Sequence, residues 1–235
     1  MQFTGECYVP GQTSDRIRED TLARYRFAQA FVRGKDVLDI ACATGTGTLS
    51  LWEAGARSVV GMDVSDEALA YANAHCSAPG VQYRKGDLQE LPYEFAFDVI
   101  ACFETIEHVP RYREALRRLH RALRPEGVLL LSTPHRRMTS PAARRLADPP
   151  LNPFHAREFT PPEMRDLLCE SGFRPETLSL FGQRQQLYIP SKLLRYLYKR
   201  FRDPDHRRSA AFEPLKPFLY PRDILFVARR SASPA

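Results

Sequence analysis

The sequence predicts an α/β domain built on a doubly wound, mostly parallel sheet with helices on both faces. Three observations carry this. Apolar runs of strand length alternate with helical patterns through much of the 235-residue chain, the arrangement that yields parallel strands joined by right-handed crossovers. The apolar run Val37, Leu38, Ile40 stops at a small-residue turn holding Gly45 and Gly47, and a helical segment follows from Thr48 to Ala54. Strand, glycine turn and helix together present bare backbone N–H groups to a ligand. Finally, Phe97–Phe103 reads FDVIACF, the near-continuous apolar run of a strand buried on both faces.

Taken in order, a helix is expected over residues 14–33, with Ile17, Leu22, Tyr25, Phe27 and Phe31 among charges and Gly34 closing it. After the glycine turn come a strand Ser58–Met62, then Asp63, and a helix Ser65–His75. Ser65 suits the N-cap, and Asp66 and Glu67 suit the first turn. Asp63, at a strand end, can accept both hydroxyl protons of a ribose. A third strand spans Val81–Arg84 and is followed by Gly86, Asp87 and Leu88. Beyond the fourth strand, a helix Arg111–Leu123 leads through Arg124-Pro125-Glu126-Gly127 into a fifth strand, Val128–Ser132.

From Pro134 to Pro162 the alternation gives way to a proline-rich segment. It leaves the C-terminal end of a strand, where ligands of such sheets bind, so it is placed to cover a substrate. A helix Pro162–Glu170 and a strand Phe173–Phe181 follow. Residues 183–211 form a basic, helical insertion. The last strand, Asp223–Ala228, is expected at a sheet edge.

The length fits one domain, 1–235, with a full core. A hydrophobic share of 43% and a charged share of 26% are those of an ordinary globular chain. No apolar run reaches membrane-span length and Met1–Gly11 lacks a leader pattern, so a cytoplasmic protein is expected. The five cysteines form no CxxC pair, so neither a zinc site nor a disulfide frame is indicated. A net charge of +6 favours anionic partners without identifying one.

The segments VLDIACATGTG, VVGMDVSDEAL, GDLQELPY, FDVIACFETIEHV and LRPEGVLLLSTP resemble, in that order, the successive motifs of class I S-adenosylmethionine-dependent methyltransferases. The resemblance implies a single methyltransferase domain on a Rossmann-like, seven-stranded, mostly parallel sheet with an antiparallel last strand. It implies S-adenosyl-L-methionine as cofactor, with Asp39, Ala41 and Gly45 at its methionine end and Asp63 at the ribose. Val64, Asp87 and Leu88 would surround the adenine, and Phe103 is a further candidate cofactor-binding residue. The chain departs from the family at Ala41 and Ala43, where glycines are usual; one methyl is tolerated there if φ is negative. FTGECYVPG and NPFHAREF resemble bacterial methyltransferases of glycans and sugars.

Glu104-Thr-Ile-Glu107-His108 carries a further expectation. If helical, positions 104, 107 and 108 share one face, and two carboxylates and an imidazole converge on a divalent cation, Mg²⁺ or Mn²⁺. Similar ExxEH segments bind metal in ubiquinone-biosynthesis O-methyltransferases and small-RNA 2′-O-methyltransferases; His155 is the candidate for a later completing histidine. The same residues also read as a charged helix start. A chelated vicinal diol would lose a proton more readily, and a histidine, His135 or His155, would take it. These readings favour O-methylation of a hydroxyl on a sugar, glycan or glycosylated metabolite, the partner being a small-molecule or oligosaccharide acceptor. Methylation of a phenolic or quinone precursor ranks second. RNA 2′-O-methylation ranks third, and nucleic acid is not the expected partner. A non-catalytic cofactor-binding partner and a homodimer stay open. An oxidoreductase fits worse, because the turn lacks GxGxxG.

Overall fold

The computed structural model describes residues 9, 11, 13–174, 178–187 and 209–230. An 18-residue helix, α1 (Asp15–Val32), precedes β1 (Asp36–Ile40), α2 (Thr46–Glu53), β2 (Ser58–Asp63), α3 (Asp66–His75) and β3 (Val81–Lys85). Next come β4 (Phe97–Phe103), a 3₁₀ turn Ile106–His108, α4 (Tyr112–Ala122), β5 (Leu123–Pro134) and the short α5 (Arg136–Thr139). The chain continues through α6 (Pro161–Glu170), β6 (Leu178–Gln183), β7 (Gln186–Leu187), β8 (Glu213–Pro214), β9 (Leu219–Tyr220) and β10 (Asp223–Arg229).

The main sheet runs β3-β2-β1-β4-β5-β10-β6-β8. Strands β1 to β5 pair in parallel, and the order reverses between β1 and β4. That reversal leaves a crevice at the strands' C-terminal ends, which is where the site forms. Alternate residues of each strand enter two cores. Leu38, Ile100, Leu129 and Phe226 pack under α4 and α6 beside Leu116, Leu119, Met164 and Leu167. Val37, Val99, Leu130 and Val227 pack under α1 and α2 beside Ala28, Val32 and Leu51. Both faces are therefore dry, which is why FDVIACF carries no polar alternation. Each fully buried aliphatic side chain contributes roughly 1.5–3 kcal/mol.

Helix ends follow local chemistry. Ser65 Oγ accepts from the Ala68 N–H at 3.2 Å at the start of α3. At α6 the Thr160 N–H donates to Glu163 at 2.8 Å, with Pro161 at the first position.

The sheet has eight strands rather than seven, because the two-residue β8 adds an outer edge beside β6. The final strand is antiparallel, as the family resemblance implied, yet it is not at an edge. It lies between β5 and β6 and pairs with both. Its run of buried residues, Asp223–Ala228, needs cover on two faces, which an interior position supplies. The strand expected from Phe173 starts at Leu178; Phe173 instead packs edge-on against His120. Residues 188–208 of the basic insertion, where its helical spacing falls, lie outside the described residues; the part described before them includes the short strand β7. Cys42, Cys76 and Cys102 are free thiols. No helix among the described residues is long and apolar enough to cross a membrane.

Candidate active site

A cavity of about 1200 Å³ opens at the C-terminal ends of β1, β2, β4 and β5. One half is built by the glycine turn and the ends of β2 and β3. Gly45 caps α2 with φ +78°, a conformation natural to glycine. Gly47 lies directly under Tyr25: a Cβ there would come within 1.9 Å of the ring. That close approach lets the Tyr25 hydroxyl donate to the Asp39 carboxylate, at 3.1 and 3.2 Å to its two oxygens. Thr48 Oγ1 donates to the same group at 2.6 Å. Burial pushes the Asp39 carboxyl up to about 7, and the Asp63 charge adds to this while the Thr48 and Tyr25 hydrogen bonds oppose it. Asp39 and Gly45 thus sit behind the cavity wall and shape it, while Ala41, Asp63, Val64, Asp87, Leu88 and Phe103 line it.

Asp63 accepts from the Ala43 N–H at 2.8 Å and the Ser65 N–H at 2.9 Å, which pins the glycine turn to β2. Val64 is 62% exposed despite being apolar, so it offers a greasy platform at the cavity mouth. Asp87 accepts from the Gln89 N–H at 2.8 Å and fixes the turn carrying Leu88. Phe103 meets Tyr25 edge to face at 5.4 Å. The condition under which a methyl would be tolerated at the two alanines is not met: Ala41 has φ +57° and Ala43 φ +48°. The tight turn needs the left-handed conformation whichever residue occupies it, and an L residue there is strained by about 1 kcal/mol or more.

The other half gathers around the end of β4. Residues 104–108 do not form an α-helix. Glu104 adopts φ +47° and only Ile106–His108 makes a 3₁₀ turn, so the three expected ligands do not share one helical face. Glu104 turns to Arg24, 3.2 Å away, and accepts from Ser132 Oγ at 2.6 Å. It does not join the cluster formed by Glu107, His108 and His155, whose ligand atoms all lie within 4.8 Å of one another.

That cluster is held from behind. The Glu107 carbonyl accepts from the N–H groups of Ala156 and Arg157 at 2.7 and 3.0 Å, which clamps the proline-rich segment onto the turn. His108 Nδ1 donates to the Phe154 carbonyl at 2.9 Å, placing the ring's lone pair on Nε2. His155 Nδ1 donates to Glu158 at 2.7 Å, and its Nε2 accepts from Asn152 at 2.8 Å. The two rings stand edge to face at 4.8 Å. Glu107 takes a hydrogen bond from Thr133 Oγ1 at 2.9 Å on one carboxylate oxygen; the other, Oε1, is buried with no hydrogen-bond partner. Burial and the neighbouring Glu104 push the Glu107 carboxyl well up. Burial alone would raise Glu158 too, but hydrogen bonds from His155 and Thr139 outweigh it and hold Glu158 below its ordinary value. An orphaned carboxylate oxygen beside His108, whose ring is oriented through Nδ1, fits a divalent cation, and His155 can add its Nε2 only where Asn152 gives up its hydrogen bond to that nitrogen.

His135 is placed elsewhere. It is 2% exposed, stacks on Tyr220 and lies 3.2 Å from the Pro221 carbonyl through Nδ1. Burial pushes its pKa down to about 4, and it is absent from the cavity wall. The strand end turns it inward under β9, so the expected base does not face the cavity. The sequence assigns no site role to Tyr25, Thr48, Thr133 or Glu158. Only Glu158 carried a signal, three residues after His155; the others contribute through folded proximity.

Residues 38–131 match the methyltransferase-domain family. The chain is 36% identical over 185 residues to a probable S-adenosylmethionine-dependent methyltransferase of Mycolicibacterium smegmatis, covering 77% of this chain and 69% of that one. It is 38% identical over 112 residues to the ubiquinone biosynthesis O-methyltransferase of Pseudomonas aeruginosa, covering 46% of this chain and about half, 48%, of that protein's length. A crystal structure of an S-adenosylmethionine-dependent methyltransferase from Mesorhizobium loti superposes with a TM-score of 0.61 at 22% identity, covering 90% of this chain and 100% of the other, and shares the fold.

Proposed function

From the premise that the chain belongs to the class I S-adenosylmethionine-dependent methyltransferases and is an enzyme of that kind, we propose that it methylates a hydroxyl oxygen with the help of a divalent cation. The observation that carries this is the buried, unpartnered Glu107 Oε1 beside His108 and His155. In this reading Asp63 holds the ribose, Val64, Asp87 and Leu88 receive the adenine, and Phe103 backs the donor. Asp39, fixed by Tyr25 and Thr48, sets the turn that receives the methionine end. Methyl transfer from a sulfonium is an in-line displacement, so these residues act chiefly by aligning donor and acceptor.

Glu107 and His108 would hold the cation, joined by His155 through Nε2 once Asn152 releases that nitrogen. When bound, it lowers the pKa of a coordinated hydroxyl and fixes its direction. Two imidazoles and one carboxylate suit Mn²⁺ better than the all-oxygen shell that Mg²⁺ prefers. The acceptor is a vicinal diol on a sugar, glycan or glycosylated metabolite; similarity to the Pseudomonas O-methyltransferase favours a phenolic or quinone precursor as the second reading.

The test is methyl transfer to sugar and catechol diols, with Mn²⁺ or with chelator, in the wild type and in Glu107→Ala. Transfer should fall by roughly 100-fold or more in the variant and in chelator, while calorimetric affinity for S-adenosylmethionine stays within about two-fold. Transfer indifferent to both would remove the cation from the reaction.

A further inference from the structure

Beyond the cation cluster, the cavity wall carries five arginines: Arg16, Arg24, Arg137, Arg184 and Arg222. Three have carboxylate partners. Arg24 pairs with Glu104 at 3.2 Å, Arg184 with Asp20 at 2.6 Å, and Arg16 reaches Asp20 at 3.9 Å. For Arg137 and Arg222 no ion pair within 4.0 Å exists among the described residues.

The two lie on adjoining segments. The His135 N–H donates to the Arg222 carbonyl at 2.8 Å, and Arg137 follows two residues later at the start of α5. Met138 and Thr139 line the cavity beside Arg137, and Gln186 and Leu187 line it on the Arg222 side. Arg222 is half-buried and close enough to favour the ionised form of Glu104, yet that carboxylate is already engaged by Arg24 and Ser132. A half-buried guanidinium without a carboxylate forfeits hydration for no return. Its planar fork is matched by an oxyanion, which it binds with two parallel hydrogen bonds.

We propose that the methyl acceptor carries an oxyanion, a carboxylate or phosphate, which Arg137 and Arg222 bind while its hydroxyl reaches the Glu107–His108–His155 cluster. The inference rests on the reading of this cavity as a methyl-transfer site and narrows its acceptor class. The anionic group acts as a handle: it fixes the end of the acceptor remote from the reacting oxygen and excludes neutral diols of the same shape.

Calorimetry on the full chain loaded with S-adenosylhomocysteine tests this with matched probes: glucuronate and glucose 6-phosphate against glucose, and 3,4-dihydroxybenzoate against catechol. In at least one set the anionic member should bind roughly 10- to 100-fold more tightly than its neutral counterpart. The sugar pair separates carboxylate from phosphate as the source. The advantage should vanish in Arg137→Gln/Arg222→Gln, with S-adenosylhomocysteine affinity unchanged. Arg137 is exposed, so Arg137→Gln alone gives a variant whose fold is not at risk, and it should lose part of the advantage. Arg222→Lys should keep part of it, by retaining charge without the fork. Neutral probes binding as well as acids in every set, an advantage that survives in the double variant, or a short RNA binding more tightly than any acid would overturn the proposal. Chelator-insensitive transfer with the acid preference intact would overturn the cation reading alone.

Discussion

The two halves of the cavity are built in different ways. In the cofactor half, side chains reach partners nearby in sequence: Thr48 meets Asp39 nine positions away, and Asp63 binds the N–H groups of Ala43 and Ser65. In the acceptor half, apart from the local bonds of His155 to Asn152 and Glu158, contacts join distant segments. His108 donates to Phe154 across 46 positions, and Arg184 meets Asp20 across 164. The first half is a set of strand ends that the parallel sheet places automatically. The second exists only once the proline-rich segment and β10 have closed over it. A fold arranged this way can change its acceptor without disturbing its cofactor.

If the halves are independent, a change in one should leave the other intact. The largest effect is expected from Gly47→Ala. Its new methyl would collide with the Tyr25 ring, pushing the hydroxyl off Asp39. Affinity for S-adenosylmethionine should fall roughly 5- to 150-fold if about 1–3 kcal/mol of overpacking is relieved in the cofactor turn, while Mn²⁺ affinity holds; calorimetry with each ligand reads both. Equal losses of both would break the division.

Glu158→Gln probes the opposite half. It removes the carboxylate that orients His155, so Mn²⁺ should bind roughly 10-fold more weakly, as expected when a group behind a metal ligand is lost. Cofactor affinity should not move. Unchanged Mn²⁺ binding would mean that packing alone keeps His155 in place.

The smallest effect belongs to Ala41→Gly with Ala43→Gly. Both sites have positive φ, so relief of strain should exceed the added freedom of the unfolded chain. A gain of about 0.5–1 kcal/mol per site is expected, seen as a melting temperature higher by roughly 2–4 °C per kcal/mol. A lower melting temperature would show that the alanine methyls make contacts worth more than the strain.

What the sequence made legible follows the same division. The glycine turn, Asp63, Asp87-Leu88 and FDVIACF could be read because strand-end chemistry repeats with the element pattern. His155 was also legible as a partner of Glu107 and His108, although 47 positions separate it from His108. Glu104 was misjudged for a local reason: an ExxEH spacing implies one face only in a helix, and the backbone leaves that path at φ +47°. His135 was misjudged for a global one, since nothing around residue 135 reveals that β9 will stack Tyr220 upon it. The edge assignment of the last strand failed because apolarity on both faces signals an interior strand only when its neighbours are known.

That interior strand has a consequence during protein synthesis. β5 is complete at Pro134, but the strand that covers its outer edge begins at Asp223. At translation rates of roughly 5–20 residues per second, the interval is roughly 5–20 s. Throughout it the nascent chain carries the edge of a strand reading VLLLSTP with no neighbour yet made, the kind of template that recruits other chains. The ribosome therefore holds a half-sheet that cannot close, and the yield of folded enzyme depends on how well that edge is shielded until the final strand emerges.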